Sequence, residues 1–154
     1  MQVREIMTYL PITVTPEATV MTARALMQQY DLRHLPVMQV GRLVGMISDR
    51  DIRTVLPSPV ASREAHETRD LLNQLLVGQV MTHQVITALP DLSLTQAVDL
   101  MFKYQIGALP VVECAELVGM VTRADVLRAY QILHDDMMLA DWDAPPLYPQ
   151  DDDD

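Results

Sequence analysis

The order of apolar and polar positions predicts a small unit of alternating strands and helices. An extended segment around residues 11–15 ends at Pro16, where a strand would stop. Two short apolar runs, 35–40 and 43–48, are typical of a β-hairpin, and a second helix begins near Ser48. Between the strand and the hairpin, apolar side chains recur at the three- and four-residue steps of a helix: Val20, Ala23, Met27 and Tyr30. The unit is therefore predicted to be β-α-β-β-α.

The same order recurs without a gap when the chain is shifted by 74 residues, and 17 of 48 aligned positions are identical over residues 6–53. The clearest match is the run 43–46, Leu-Val-Gly-Met, which returns at 117–120. In the second copy Ser93 and Gln96 have the spacing of a helix capping box. An ungapped match of this length is expected from a duplication and not from chance.

The duplication predicts an α/β (α+β) fold with small sheets flanked by helices. One unit of about 50 residues buries too little surface to be stable alone, so we expect the copies to pack about a pseudo-two-fold axis. We predict repeat 1 over 1–57, a linker helix over 58–76, repeat 2 over 77–134 and an acidic, proline-containing tail over 135–154.

Composition and charge limit the kinds of partner and the cellular compartment that we expect for this protein. The net charge of −10 comes mostly from the last twenty residues, which hold eight acids and no Lys or Arg. The chain therefore lacks the basic face that general nucleic-acid binding needs. No apolar run is long enough to span a bilayer, and no signal peptide is evident. With Cys114 as the single cysteine, set in an apolar strand context, we expect a cytoplasmic protein without disulfides.

The common catalytic signatures are missing. There is no phosphate-binding G-x-x-x-x-G-K-[ST], no dinucleotide G-x-G-x-x-G and no zinc H-E-x-x-H pattern. The four histidines, His34, His66, His83 and His134, lack metal-ligand spacing. We therefore expect no enzymatic activity, no catalytic cofactor and no metal.

One polar motif occurs in both copies, Gly-x-x-[Ser/Thr]-x-x-Asp. It is found as Gly45-x-x-Ser48-x-x-Asp51 and again as Gly119, Thr122 and Asp125. One interpretation is simple helix capping. The other is a ligand site, because a carboxylate one turn into a helix can accept both hydroxyls of a ribose while the hydroxyl side chain contacts phosphate. The two interpretations are compatible.

With these features in order twice, including Met-Thr openings and Leu-Pro-Val strands, residues 1–134 resemble a tandem cystathionine-β-synthase (CBS) domain pair, or Bateman module, of the stand-alone bacterial type. The resemblance implies two clefts for adenosine derivatives, each built from both repeats. The Asp125 cleft would combine residues of repeat 1 with the repeat 2 motif: Thr8, Thr13, Leu32, Arg33, His34, Thr122, Arg123 and Asp125. The Asp51 cleft would combine the reverse set: Thr82, Val85, Thr87, Ile106, Gly107, Ser48, Arg50 and Asp51.

The family further implies that Asp51 and Asp125 hold ribose hydroxyls and that Ser48 and Thr122 assist the α-phosphate. Arg33, His34 and Arg123 lead us to expect the more charged ligand in the Asp125 cleft, although Arg33 and His34 also suit a solvated surface. Arg50, and as a second candidate Arg53, would meet ligand charge in the Asp51 cleft.

The leading hypothesis is a regulatory module that senses AMP, ADP or ATP and acts on an unknown partner protein, as a homodimer. The alternatives are a structural dimerisation module with vestigial clefts, or a sensor of S-adenosylmethionine or NAD.

Overall fold

The computed structural model describes residues 1–55, 70 and 73–138, with side chains described up to residue 134. The predicted loop at 57–59, most of the predicted linker helix and the tail beyond 138 lie outside the described residues. The described helices and strands confirm two small antiparallel sheets flanked by helices.

The elements of the first repeat follow the predicted order. They are a 3₁₀ turn at Val3–Glu5, β1 (Thr8–Tyr9), α1 (Val20–Gln29), β2 (His34–Gln39), β3 (Arg42–Ser48) and α2 (Asp49–Val55). Helix α1 begins where the Thr19 hydroxyl accepts a hydrogen bond from the Thr22 amide at 3.1 Å, which satisfies a free N–H group of the first turn.

The second repeat has the same order except that its described opening segment forms isolated bridges and no strand. Its elements are α3 (Val77–Val80), α4 (Leu94–Tyr104), β4 (Ala108–Glu113), β5 (Glu116–Thr122) and α5 (Arg123–Met138). The predicted capping box is confirmed, since Gln96 N–H donates to the Ser93 hydroxyl at 3.2 Å and Ser93 N–H donates to the Gln96 side chain at 3.1 Å.

The opening strands predicted around 11–15 and 85–89 are each reduced to one bridge. Val14 pairs in parallel with Val37, and Ala88 pairs in parallel with Val111. A proline follows each segment within two residues, and proline cannot donate to a ladder, so the pairing stops there.

The two hairpins turn one residue earlier than the chain pattern suggested. Their central residues, Val40-Gly41 and Cys114-Ala115, all have positive φ, as tight two-residue hairpin turns require. Cys114 is therefore exposed at a turn, and the expectation that it lies in an apolar strand was wrong.

The opening segment of each repeat pairs with the other repeat. Strand β1 runs antiparallel to β5, with Thr8 opposite Met120, and Thr82 forms the equivalent bridge with Met46 of β3. Val3 of repeat 1 also donates its N–H to the carbonyl of Leu92 in repeat 2, at 2.9 Å. The repeats thus exchange their first residues in both directions.

The two cores show the same exchange. The first core gathers residues of repeat 1 together with Val77, which is fully buried, and Met81 packs against it. The second gathers residues of repeat 2 together with Val3 and Met7. Because each core needs side chains from the opening segment of the other repeat, neither repeat completes its own core.

Two glycines let the exchanged segments approach. A Cβ atom on Gly119 would lie 3.0 Å from the Thr8 carbonyl oxygen and would overlap the Met7 sulfur. A Cβ atom on Gly45 would likewise lie 3.0 Å from the Thr82 carbonyl oxygen and would overlap the Met81 sulfur. The absence of a side chain at these positions is therefore a packing requirement of the exchange.

We expect Gly119→Ala to lower the free energy of unfolding by about 1–3 kcal/mol, because the added methyl group must displace backbone as well as the flexible Met7. Urea denaturation followed by circular dichroism measures the change. Ala115→Gly, at the exposed hairpin turn, is the control and should not destabilise, because its φ of 68° already favours glycine. Equal stability of wild type and Gly119→Ala would contradict the close approach.

Candidate functional site

The repeated motif lies at the end of the last strand of each hairpin. In repeat 1, Asp51 Oδ2 accepts hydrogen bonds from the Ser48 amide at 2.7 Å and from the Ser48 hydroxyl at 2.6 Å. These two bonds fix the carboxylate at the start of α2. Among the described residues Oδ1 of Asp51 has no hydrogen-bond partner, so one oxygen is anchored while the other is available.

Repeat 2 has the same arrangement with one addition. Asp125 Oδ2 accepts from the Thr122 amide at 2.8 Å and from its hydroxyl at 2.7 Å. Its Oδ1 faces Arg128 Nη1 at 3.4 Å, where the Asp125 side chain is 13% exposed and that of Arg128 is 70% exposed. Sequence reasoning missed Arg128, although its position three residues after Asp125 on a helix is the spacing of an ion pair.

The exchanged segments bring the predicted cleft residues of opposite repeats together. Thr8 lies on β1, beside the strand that leads to Thr122, and Thr82 lies beside the strand that leads to Ser48. Farther along, Thr13 and Thr87 precede the bridges that return each segment to its own hairpin. Each opening segment, including Val85 in the second, therefore crosses from one repeat to the other.

The residues before the two Leu-Pro pairs meet where the repeats face each other. A Cβ atom on Gly107 would lie 3.2 Å from His34 Nε2 and 3.8 Å from Arg123 Nε, so the missing side chain makes room for the imidazole. The structure thus brings His34 and Arg123, both predicted for the Asp125 cleft, to one place. It also puts Gly107, predicted for the Asp51 cleft, between them.

The other predicted residues occupy supporting or exposed positions. Leu32 and Ile106 are half-buried and pack against the first and second core, respectively. Arg33 is exposed, and its carbonyl accepts from the Asp49 amide at 2.9 Å. Arg50 is also exposed.

Two arginines near the motif have defined partners. The Arg123 guanidinium donates to the Ile106 carbonyl at 3.2 Å and 3.1 Å. Within the described residues it forms no ion pair with a carboxylate. Arg53, by contrast, forms an ion pair with Asp49 at 2.8 Å. The hypothesis that Arg53 meets ligand charge therefore requires breaking this pair.

His34 is kept neutral by its surroundings. Burial is the main cause that lowers its pKa from 6.5, and Arg123 and Arg33 lower the pKa further. Asp51 and Asp49 act in the opposite direction and are outweighed. The charged groups that face the imidazole thus come from both repeats.

Metal and membrane features add nothing to this site. The described part of the chain holds no group of three or more His, Cys, Asp or Glu side chains arranged to bind a metal ion. Within the same residues no helix has the length and apolar character needed to cross a membrane.

The family follows from the repeat and its sites. The CBS domain family model matches the chain twice, over residues 3–58 and 77–132. The chain therefore belongs to the CBS domain family, as a tandem pair.

Comparisons with individual proteins give the same family. The CBS domain-containing protein YhcV of Bacillus subtilis (strain 168) is 36% identical over 124 residues, which is 80% of this chain and 81% of YhcV. The CBS domain pair of MJ0100, solved with 5′-methylthioadenosine and S-adenosyl-L-methionine, aligns with a TM-score of 0.72 at 28% identity, covering 86% of this chain and 98% of that one. CBSX2 solved with AMP aligns with a TM-score of 0.70 at 26% identity, with the same coverage.

We expect the stability of the protein to fall as the pH drops below 6.5, because the unfolded chain then binds a proton on His34 that the folded chain resists. His34→Gln removes this contribution to the pH dependence of stability, because glutamine does not titrate. The pH dependence of the urea midpoint between pH 7.5 and pH 5 should therefore be shallower in the variant than in wild type. Parallel profiles for the two proteins would show that the folded environment does not disfavour the charged imidazole.

Proposed function

We propose that this protein is a regulatory module without catalytic activity, which binds an adenine nucleotide in the Asp51 and Asp125 clefts and signals to a partner protein. The observation that carries the proposal is the pair of anchored carboxylates. Each is fixed through Oδ2 by its own Ser or Thr, and each lies at the end of a strand that pairs with the opening segment of the other repeat.

The chemistry of the clefts suits a nucleoside monophosphate unit. Oδ1 of Asp51 would accept ribose hydroxyls, and Oδ1 of Asp125, which faces Arg128 at 3.4 Å, would do so beside that guanidinium. Hydrogen bonds to charged groups of this kind are among the stronger ones in proteins. Ser48 and Thr122 supply hydroxyls next to the carboxylates, and the backbone of the opening segments would supply donors and acceptors for the adenine edge. Solved relatives that bind AMP, 5′-methylthioadenosine and S-adenosyl-L-methionine support an adenosine-containing ligand.

Regulation would follow from the construction of the clefts from both repeats. A ligand that contacts both sides favours one angle between them, and the free energy of binding then shifts the population of that arrangement. A partner that distinguishes the arrangements receives the signal. The output is therefore expected in another chain or domain.

Two alternatives use the same structure. S-adenosylmethionine or NAD would employ the same ribose contacts, so the ligand class is broader than AMP, ADP and ATP. A purely structural module with vestigial clefts would retain Asp51 and Asp125 only as helix caps.

The prediction for binding is made with isothermal titration calorimetry, using AMP, ADP, ATP and S-adenosylmethionine. At least one should bind with micromolar affinity, and Asp51→Asn or Asp125→Asn should weaken binding by about tenfold or more, because the amide still caps its helix but loses the charged acceptor. Asp99→Asn, an exposed carboxylate on α4, is the matched control and should bind as wild type does. Absence of binding by the folded protein would favour the structural alternative.

A homodimer is also part of the proposal. Helices α4 and α5 contact each other and expose large apolar side chains to solvent. On α5 they recur every three residues, at Leu127, Tyr130 and Leu133, which are 65%, 58% and 45% exposed, and Phe102 on α4 is 73% exposed. A second copy covering these helices would bury them.

We expect light scattering to give the mass of a dimer for wild type and of a monomer for the double variant Leu127→Gln, Tyr130→Gln, since two apolar anchors of the contact are lost. Leu89→Gln, which alters an apolar residue 59% exposed outside these helices, should leave the dimer intact. A dimer unaffected by the double variant would place the contact elsewhere.

A further inference from the structure

A groove of about 380 Å³ lies where the opening segment of repeat 1 crosses the β4–β5 hairpin of repeat 2. Both repeats line it, with Arg4, Met7, Tyr9 and Leu10 from repeat 1 and Pro90, Glu113, Glu116, Leu117 and Val118 from repeat 2. None of these residues is predicted for a nucleotide cleft, and none belongs to α4 or α5. The groove therefore shares no residue with the clefts or with the helices of the proposed dimer contact.

Hydrogen bonds between the repeats hold the two sides of the groove together. The Arg4 amide donates to the Pro90 carbonyl at 2.9 Å, and the Leu10 amide donates to the Val118 carbonyl at 3.4 Å. Within repeat 1, the Tyr9 hydroxyl donates to the Arg4 carbonyl at 2.9 Å. The shape of the groove consequently depends on how the two repeats are placed relative to each other.

One apolar wall of the groove stands in solvent. Leu10 is 86% exposed and has a φ of 47°, and the neighbouring Tyr9 is 60% exposed. Leucine rarely adopts this left-handed conformation, and residues held in it are concentrated at functional sites. Gln84, which is the counterpart of Leu10 in repeat 2, is polar and does not have a positive φ. The exposed leucine is thus a feature of this groove and not of the duplicated fold.

The rim of the groove carries two carboxylates that repel each other. Glu113 and Glu116 are exposed cross-strand partners beside the hairpin turn, and like charges placed directly opposite destabilise a strand pair. The same positions in repeat 1 hold Gln39 and Arg42, which do not repel. Among the residues that the structure describes, neither glutamate forms an ion pair, and neither does Arg4 on the opposite side. A cation bound between the glutamates would relieve their repulsion.

The shape and charge of the groove favour a protein segment over a small molecule. Pockets for small molecules bury most of their ligand, whereas five of the nine residues that line this groove are exposed. Two carboxylates against one guanidinium attract a positive charge, and the apolar floor and wall suit aliphatic side chains or the stem of a long basic one. A basic residue between aliphatic residues provides both.

We propose that this groove is the docking surface for a partner protein, which places a Lys or Arg side chain between Glu113 and Glu116 and its aliphatic neighbours against Leu10. The inference rests on the proposed function, since it identifies the surface that the proposed partner contacts. It goes further in giving the chemistry of that partner. Because both repeats form the groove, a partner bound there contacts both and distinguishes one arrangement of the repeats from another.

The test is a ¹H–¹⁵N NMR titration of the full chain with the peptide acetyl-Leu-Arg-Leu-amide at low salt. Chemical-shift changes should concentrate at the groove, and acetyl-Leu-Glu-Leu-amide should bind at least about fivefold more weakly because its charge is reversed. The double variant Glu113→Gln, Glu116→Gln should weaken binding of the arginine peptide by a similar factor. Asp31→Asn combined with Asp99→Asn makes the same change in net charge at exposed sites outside the groove and should bind as wild type does.

Three results would overturn the docking surface: shift changes centred elsewhere, equal binding of the two peptides, or unchanged binding in the glutamate variant. The calorimetric titration with nucleotides separates this inference from the proposed function. Nucleotide binding without a response to the arginine peptide would reject the groove and leave the sensor. A peptide response in the groove of a protein that binds no nucleotide would support the docking surface and reject the sensing role.

Discussion

The reciprocal exchange of opening segments is the constraint on which the rest of the structure depends. Val3 and Met7 complete the core of repeat 2, and Val77 and Met81 complete that of repeat 1. Apolar burial is the main driving force for folding, so the two repeats are stable only together. The same exchange brings strand β1 alongside the strand that ends at the second motif, and the clefts therefore arise from the contacts that stabilise the fold.

At the motif itself, stability and binding use the same carboxylate. One oxygen of Asp51 or Asp125 holds the start of a helix through its neighbouring hydroxyl, which fixes the side chain before any ligand arrives. A group that is already ordered loses little further entropy on binding. The capping and ligand interpretations of Gly-x-x-[Ser/Thr]-x-x-Asp are thus two uses of one geometry.

Much of the fold could be predicted from the sequence because the duplication repeats every local signal. The periodicity of Val20, Ala23 and Met27 gave α1, and the Ser93 capping box gave the start of α4. The local pattern of residues did not predict the pairing of β1 with β5, because that pairing depends on contacts distant along the chain. Only the family resemblance implied that Thr8 would lie near the motif of repeat 2. Cys114 was misplaced because apolar neighbours obscured a turn that has no glycine. In the site, Arg128 was missed, whereas His34 and Arg123 were expected in one cleft and do lie close together.

The exchange also bears on how such a chain arises. A polypeptide with a single repeat would satisfy the contacts made here by Met7 and Met81 only by trading its first residues with an identical copy, so the ancestral unit would be an obligate symmetric pair. Joining the copies in one chain replaces an encounter between molecules with a tethered one, which keeps the halves together even at low concentration. It also frees the halves from identity, and a position such as 49 can become acidic while its counterpart at 123 becomes basic.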